Sequence, residues 1–453
     1  MAIVWPRAWL KLPFHLLEDG LNWFLQTTYG TVLQFLKNQL SSHASAAAYY
    51  FLLSIGPLIL VVVSILNTSL INHPELTAEL FAFLAEFNKE LNEDFFRRIG
   101  ILETQAAISG LGLLGVLWTS RLIISSIQSA FGVIFPSDRS RNFVWSNLLS
   151  LVLVPGVLTL LLFSALTNVI LRFLHGKLEE FAWLIQIYDL LLSLSGFVVP
   201  LALVFGLIFI CYRFLPLSKP KIWHAALGAG LCTLSIHGLK LAFLQYVTLA
   251  SYNYLYGSLG AVIFLLLWVY LVFLLFFLFA QFVEVAGRVD ILALDRIIAP
   301  QNNSTGIGGR MEGRLFGSSR RIFSKYAQTV PEEEAIYRQG DQGRDIYYLH
   351  SGKVALFGEK PTPDSKPLAV IEPGHFFGET AYLLDQPRLS TARAETDSEL
   401  LLLSANTFEG LLAHSPAVSR KIISSLGLRL KQATKAVKAS SGTESGRQSE
   451  IDA

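Results

Sequence analysis

Six apolar runs, at 45–66, 106–133, 147–171, 185–212, 223–249 and 258–285, each reach the roughly 20 residues that a helix needs to cross a bilayer. A soluble domain could not bury that many such segments. The first two-thirds of the chain is therefore expected to be a multi-pass α-helical membrane bundle of six transmembrane helices. The composition agrees, with 52% of the 453 residues hydrophobic and only 15% charged. The apolar pattern stops near Arg288, and from Asp290 onward charges, Gly and Ser become frequent. A net charge of +2 offers no basic face for nucleic acid. Cys211 and Cys232 both fall inside apolar runs, where a thiol packs as a small hydrophobe, so no disulfide framework is expected.

Orientation follows from the loops. Lys37, Arg139, Arg141, Arg213, Lys219 and Lys221 fall on one side, which the positive-inside rule makes cytoplasmic. The opposite side carries an acidic first loop with Glu75, Glu79, Glu86, Glu90, Glu93 and Asp94, and later the uncharged "SYNYLYGS". An even number of crossings then places both termini in the cytoplasm. The opening "MAIVWPRAWLKLPFHLL" has no continuous apolar core with a small-residue cleavage site, so it does not read as a signal peptide. Residues 1–40 alternate aromatic and charged side chains, as suits interfacial helices or a helix tucked against the bundle.

Ionisable groups inside the spans are the informative ones, because a cation at the bilayer centre costs about 2.5 to 3.5 kcal/mol on insertion scales. Arg121 lies mid-span in "GVLWTSRLIISS", and Lys240 lies with His237, one turn away, in "SIHGLKLAF". Together with Tyr256 and Gln281 they form the expected polar site of the membrane domain, suited to an anionic substrate such as a lipid head group or an organic anion. Pairing of the cations with Asp189 or Glu284, or snorkelling of Lys240, is the alternative. Pro57, Pro155 and Pro200 predict kinks.

After the last span, residues 288–319 read as a flexible linker, richest in Gly, Ser and Asn from Pro300 to Ser319. Short β-prone segments follow, from Ala335 to Tyr337, Ile346 to Leu349, Lys353 to Phe357, Leu368 to Ile371 and Leu400 to Leu403, as in a small antiparallel barrel. Helical periodicity then places Phe408, Leu411 and Leu412 on one face and Ile422, Ile423, Leu426 and Leu430 on another. Residues 436–453 read as a disordered tail.

Within this region "FGETAYLLDQPRLSTARA", from Phe377 to Ala394, has the chemistry of a phosphate grip. Gly378 and Glu379 open a short helix whose first N–H groups favour an anion, and Arg388 returns a guanidinium toward it. A carboxylate would repel a phosphate, so Glu379 is better employed accepting from a ribose hydroxyl. This stretch, with "IYRQGDQGRDIYYLHSGKVALF" from Ile336 to Phe357, resembles the cyclic nucleotide-binding domain over residues 320–435. The resemblance implies a β-roll, a jelly-roll barrel with flanking helices, that binds a cyclic mononucleotide, cAMP or cGMP, as a regulatory ligand. The implied site is Gly378, Glu379, Thr380, Arg388, Leu389, Ser390 and Thr391. Thr391 matches the residue that contacts phosphate or base, whereas Leu389 stands where the family usually has a small side chain.

Residues 41–287 resemble the YihY/BrkB family of six-helix inner-membrane proteins. The resemblance rests on "ASAAAYYFLLSIGPLIL", on "YRFLP" from Tyr212 to Pro216, and on "GLKLAFLQYVTLASYNYLYGSLGAVIFLLLWVYLVFLLFFLFAQF". Gln281 occupies a place where that family commonly has an acidic residue, with Glu284 a turn later. The resemblance implies a transporter-like protein of the bacterial inner membrane and names no substrate.

The joint expectation is a membrane transporter, of lipid or organic anion, regulated by cyclic nucleotide in the cytoplasm. Its partners would be the bilayer and the nucleotide, without nucleic acid, and a homo-oligomer stays open. The alternative is a non-transporting scaffold that carries the sensor. A gated ion channel is disfavoured, since there is no "TVGYG" filter and no helix with arginine at every third position. An enzyme is disfavoured too, for His43, His175, His224 and His237 are scattered and no metal-ligand spacing or G-x-S-x-G elbow occurs. No cofactor or metal is expected.

Overall fold

The computed structural model describes residues 12–69, 107–137, 198, 200–249, 258–299, 315–316, 320–358 and 367–427. The chain forms two compact units. One comprises Tyr29–Gly287, and the other joins Met1–Thr28 to Arg288–Ala453.

The first unit is helical. It holds the end of α1 (Leu12–Lys37), followed by α2 (Leu40–Ser69), α3 (Ala107–Ile134), α4 (Pro200–Phe214), α5 (Ile222–Leu249) and α6 (Ser258–Ile298) as far as Gly287. These helices cover the apolar runs expected at 45–66, 106–133, 223–249 and 258–285 and the end of the run at 185–212. The expected span at 147–171, with Pro155, lies outside the described residues. Among the described residues, Ile222–Phe243 and Val262–Ile298 are long and apolar enough to cross a membrane.

Each helix contributes one stripe to a shared core. Leu40, Ala44 and Ala47 of α2 meet Ala130, Phe131 and Ile134 of α3, Ile208 and Tyr212 of α4, Ala225 and Ala229 of α5, and Phe277, Ala280 and Val283 of α6. Spacings of three and four residues set one narrow face of each of these helices, and the alanines let helix backbones approach closely. Tyr212 is fully buried and donates its hydroxyl to the Phe276 carbonyl at 2.7 Å, with its ring 5.3 Å from that of Phe276. That bond gives the "YRFLP" stretch a packing role.

Two expectations about helix geometry change. α2 runs as one helix through Pro57, whereas α6 has non-helical backbone at Arg288 (φ −127°, ψ 18°), beside Gly287 and without a proline. The segment 288–298, expected to begin a flexible linker, is instead the helical end of α6. Its charges interrupt the apolar pattern, but they sit among Val289, Ala293, Leu294 and Ile298, all buried. Residues 12–37 form one continuous helix, within which Gln26 and Thr27 are buried.

The second unit contains a β-roll of two four-stranded antiparallel sheets. The strands are β1 (Ala327–Val330), β2 (Ala335–Tyr337), β3 (Ile346–Ser351), β4 (Val354–Phe357), β5 (Ala369–Ile371), β6 (Phe376–Phe377), β7 (Thr391–Ala394) and β8 (Ser398–Leu403). Their orders are β1-β8-β3-β6 and β2-β7-β4-β5. Val330, Leu349, Val354, Ile371, Phe377, Ala392 and Leu400 fill the space between the sheets. Helices α7 (Arg320–Tyr326), α8 (Glu379–Leu383), α9 (Ala405–His414) and α10 (416–427) flank the roll. Phe408 and Leu411 are fully buried and Ile422 nearly so, but Ile423 is 67% exposed. β1, β6 and β7 were not expected from the sequence. "TARA" lacks the bulky β-branched or aromatic residues that mark a strand, and β6 is only two residues long.

A side chain at Gly228 of α5 would collide with Val283 Cγ2 and lie 3.3 Å from the Phe279 carbonyl, so Gly228→Val is expected to cost about 1–3 kcal/mol by overpacking. Thermal melts of the detergent-solubilised protein test this.

His414 has its Nδ1 3.0 Å from the Gly410 carbonyl, and burial followed by the positive Arg288 holds its pKa below the usual value. A depressed folded-state pKa means that the unfolded chain binds the proton more readily. This unit should therefore lose stability as pH falls below about 6.5, and His414→Gln should flatten that dependence in denaturant melts across pH 5 to 8.

Candidate functional site

Arg388 is the organising residue of the β-roll. It is only 3% exposed, and a buried guanidinium must be given partners. Nη1 donates to the Gly378 carbonyl and Nη2 to the Asp345 carbonyl, each at 2.6 Å. The guanidinium carbon lies 4.4 Å from the centroid of Tyr337 and 5.6 Å from that of Tyr347, a cation–π arrangement that contributes about 0.5–2 kcal/mol. Burial raises the Tyr347 hydroxyl above its usual range, with Arg388 opposing, and keeps the ring neutral. Tyr337, Tyr347 and Phe377 stack at centroid separations of 5.2 to 6.2 Å, so the arginine sits on an aromatic floor. Two of its five N–H donors are thus engaged by carbonyls, and the buried Nε–H has no hydrogen-bond partner among the described residues.

The loop between β2 and β3 is wrapped around this side chain. The backbone N–H of Arg388 donates to Asp341 O at 2.9 Å, and its carbonyl accepts from Gly340 N at 2.8 Å. Arg338 N donates to Asp341 Oδ2, Gln339 N donates to Thr391 Oγ1 at 3.1 Å, and Arg344 pairs with Asp385. Thr391, 3% exposed at the start of β7, therefore holds the loop as well as lining the roll.

The other expected site residues take distinct positions. Gly378 has φ +77°, a left-handed conformation that glycine adopts without strain, and a Cβ there would lie 2.6 Å from Arg388 Nη1. Glu379 opens α8 and is 1% exposed, so its carboxylate is enclosed with the arginine inside the same roll. Thr380 is half-buried, with its carbonyl accepting from Leu384 N. Leu389 is 54% exposed and Ser390 half-buried, so the bulky side chain that follows Arg388 in the chain lies at the surface. Tyr337, Tyr347, Gln339 and Asp345 were not anticipated. The two tyrosines follow the inward alternation of β2 and β3, a signal the sequence carries, but Gln339 and Asp345 act through backbone atoms that residue types do not disclose.

In the helical unit the expected polar site does not share one environment. Arg121 on α3 and Lys240 on α5 are exposed, His237 is half-buried, and Tyr256 lies outside the described residues. Gln281 is fully buried and accepts from Asn38 Nδ2 while donating to Glu284 Oε2, both at 2.9 Å. Asn38 comes from the turn between α1 and α2, where Gln39 takes φ +50°. Glu284, expected as a partner for a membrane cation, is bonded to this amide. Among the described residues no group of three or more His, Cys, Asp or Glu could hold a metal ion.

Two family profiles match the chain. That described as Virulence factor BrkB covers residues 31–293, and that described as Cyclic nucleotide-binding domain covers 327–415. The C-terminal part is similar to a cyclic AMP receptor protein of Thermus thermophilus, 35% identical over 103 residues, which is 23% of this chain and 48% of the receptor. The helical part is similar to UPF0761 membrane proteins. One from Prosthecochloris aestuarii is 28% identical over 56% of this chain and 59% of its own length, and one from Tolumonas auensis is 29% identical over 54% and 80%. The chain thus spans about half the length of the first two curated relatives.

Replacing Gly378 by Ala should destabilise the roll by about 1–3 kcal/mol, since it places a Cβ at a positive φ and against the arginine. Denaturant unfolding of the variant beside the parent measures it.

Proposed function

Because this chain belongs to the BrkB family of membrane proteins and carries a cyclic nucleotide-binding domain, we propose that it is a membrane translocator whose activity is set by a cyclic mononucleotide. The observation that carries the reading is the enclosure of Arg388 and Glu379 within one roll, 3% and 1% exposed. The uncommitted Nε–H and remaining Nη donors of Arg388 suit a phosphate oxyanion, and the carboxylate suits a sugar hydroxyl. The aromatic floor of Tyr337 and Tyr347 holds the planar guanidinium in place. The similarity to a cyclic AMP receptor protein favours cAMP as the first ligand to try.

The protein is read as multi-pass in a bacterial cytoplasmic membrane, with both termini in the cytoplasm and the nucleotide site on that side. Arg121 and Lys240, exposed on separate helices, are the cations that would attract an anionic substrate such as a lipid head group or organic anion. The nucleotide must bind one state of the membrane domain more tightly than the other, a coupling typically of about 1 to 3 kcal/mol.

Full-length protein in nanodiscs, titrated with cAMP and cGMP by calorimetry, tests the sensor. Micromolar binding is expected, weakened at least tenfold by Arg388→Ala. Absence of binding to folded protein would leave the domain as an assembly module. Reconstituted vesicles test the translocator, with Arg121→Ala and Lys240→Ala expected to lower anion or lipid flux. Unchanged flux in both variants would remove those residues from the substrate path.

A further inference from the structure

α6 is longer than a crossing requires. The 30 residues from Ser258 to Gly287 alone rise about 45 Å at 1.5 Å per residue, more than the roughly 30 Å hydrocarbon core. The surplus, residues 289–298 beyond the irregular Arg288, is gripped by elements that follow the nucleotide motif in the chain. Gly410 of α9 lies so close to Ile291 that a Cβ there would be 2.5 Å from Ile291 Cδ1. Ser415, 2% exposed between α9 and α10, donates its hydroxyl to Asp295 and caps α10 through Val418 N. Lys421 of α10 donates to the Ile298 carbonyl at 3.0 Å, and the Tyr348 hydroxyl reaches the same oxygen at 3.5 Å. A cation on the last carbonyl of a helix opposes the negative end of its dipole. Ile291, Asp295 and Ile298 are spaced i, i+4, i+7, so one face of the segment takes all three contacts. On another side Asp290 accepts from Arg321 and Lys325 of α7, and Arg321 also donates to Gln26 of α1.

The same face is joined to the nucleotide site by a short run of contacts. Arg388 holds the Gly378 carbonyl, and Gly378 directly follows β6. The ring of Phe376 in β6 lies 5.1 Å from Tyr348 and 5.9 Å from Phe408 of α9, and Tyr382 of α8 lies 5.5 Å from Phe408. Both routes end on the segment, one at Ile298 through Tyr348 and one at Ile291 and Asp295 through α9.

We propose that residues 289–298 are the output element of the sensor. The state of Arg388 passes through Gly378, Phe376 and Phe408 to the grip on Ile291, Asp295 and Ile298, and from there to the irregular backbone at Arg288, where this segment joins the rest of α6. This rests on the sensor reading above and gives it a mechanism. The output then does not depend on the length of the chain between residues 300 and 314.

Hydrogen exchange of residues 289–298 in the full-length protein in nanodiscs tests the proposal, with cAMP as the probe and binding followed separately with a fluorescent cAMP analogue. Saturating cAMP is expected to change exchange there at least fivefold. Ten Gly and Ser residues inserted after Thr305 should leave that response intact. The pair Ser415→Ala and Lys421→Gln should abolish it while the analogue still binds saturably. A response absent from the parent protein despite binding, lost on insertion, or surviving in the paired variant would overturn the proposal. If the analogue does not bind, the sensor reading fails by itself, and Arg388→Leu then perturbs the pocket without ligand. With β3 and β8 protection intact, a fivefold change at 289–298 in that variant upholds the grip, and no change overturns it.

Discussion

A guanidinium enclosed in a protein keeps its charge, and everything around Arg388 answers that constraint. Two carbonyls from distant parts of the chain, Gly378 and Asp345, turn inward to accept from it, and two tyrosine rings lie beneath it. The loop between β2 and β3 closes over it through backbone bonds to Arg388 itself and to Thr391. Gly378 must be glycine because the chain has to present its carbonyl to the arginine from a left-handed turn with no room for a side chain. Removing the arginine would leave those carbonyls buried without a donor, so the pocket and the β-roll share one support.

The helical unit obeys a different constraint. Apolar surface between helices has little driving force in lipid, so close backbone approach and a few buried polar bonds do the work. Gly228 against α6 supplies the first, and Tyr212 on the Phe276 carbonyl and Gln281 between Asn38 and Glu284 supply the second. Gln281 is engaged at both ends of its amide, which ties the turn after α1 to the last helix. A carboxylate at that position could not donate to Glu284, so the amide and the neighbouring acid belong together.

α6 carries this chain's distinctive feature. The residues beyond the irregular Arg288 are helical and are held by elements that lie far away in the chain. This end of α6 is held at Asp290 by two cations and at Ile298 by a lysine and a tyrosine. These polar attachments flank the buried Val289, Ala293, Leu294 and Ile298 of the same segment.

The apolar runs were legible in the sequence because a bilayer imposes its length on every crossing, and residues 45–66 or 258–285 carry that length without reference to the rest of the chain. The nucleotide motif was legible because its side chains are local: Gly378, Glu379 and Arg388 lie within eleven residues. Sequence also placed β2, β3 and β8, whose short apolar runs are bounded by turn residues. It did not disclose β7, the carbonyl of Asp345, or the bond from Asn38 to Gln281, since strand pairing and backbone acceptors depend on what lies opposite. Nor did it disclose that residues 288–298 are helix. Asp290 and Asp295 read as solvent-facing breaks until Arg321, Lys325 and Ser415, far away in the chain, arrive as their partners. Local chemistry determined the kinds of domain, and only the tertiary fold decided which distant partners let buried charges remain inside.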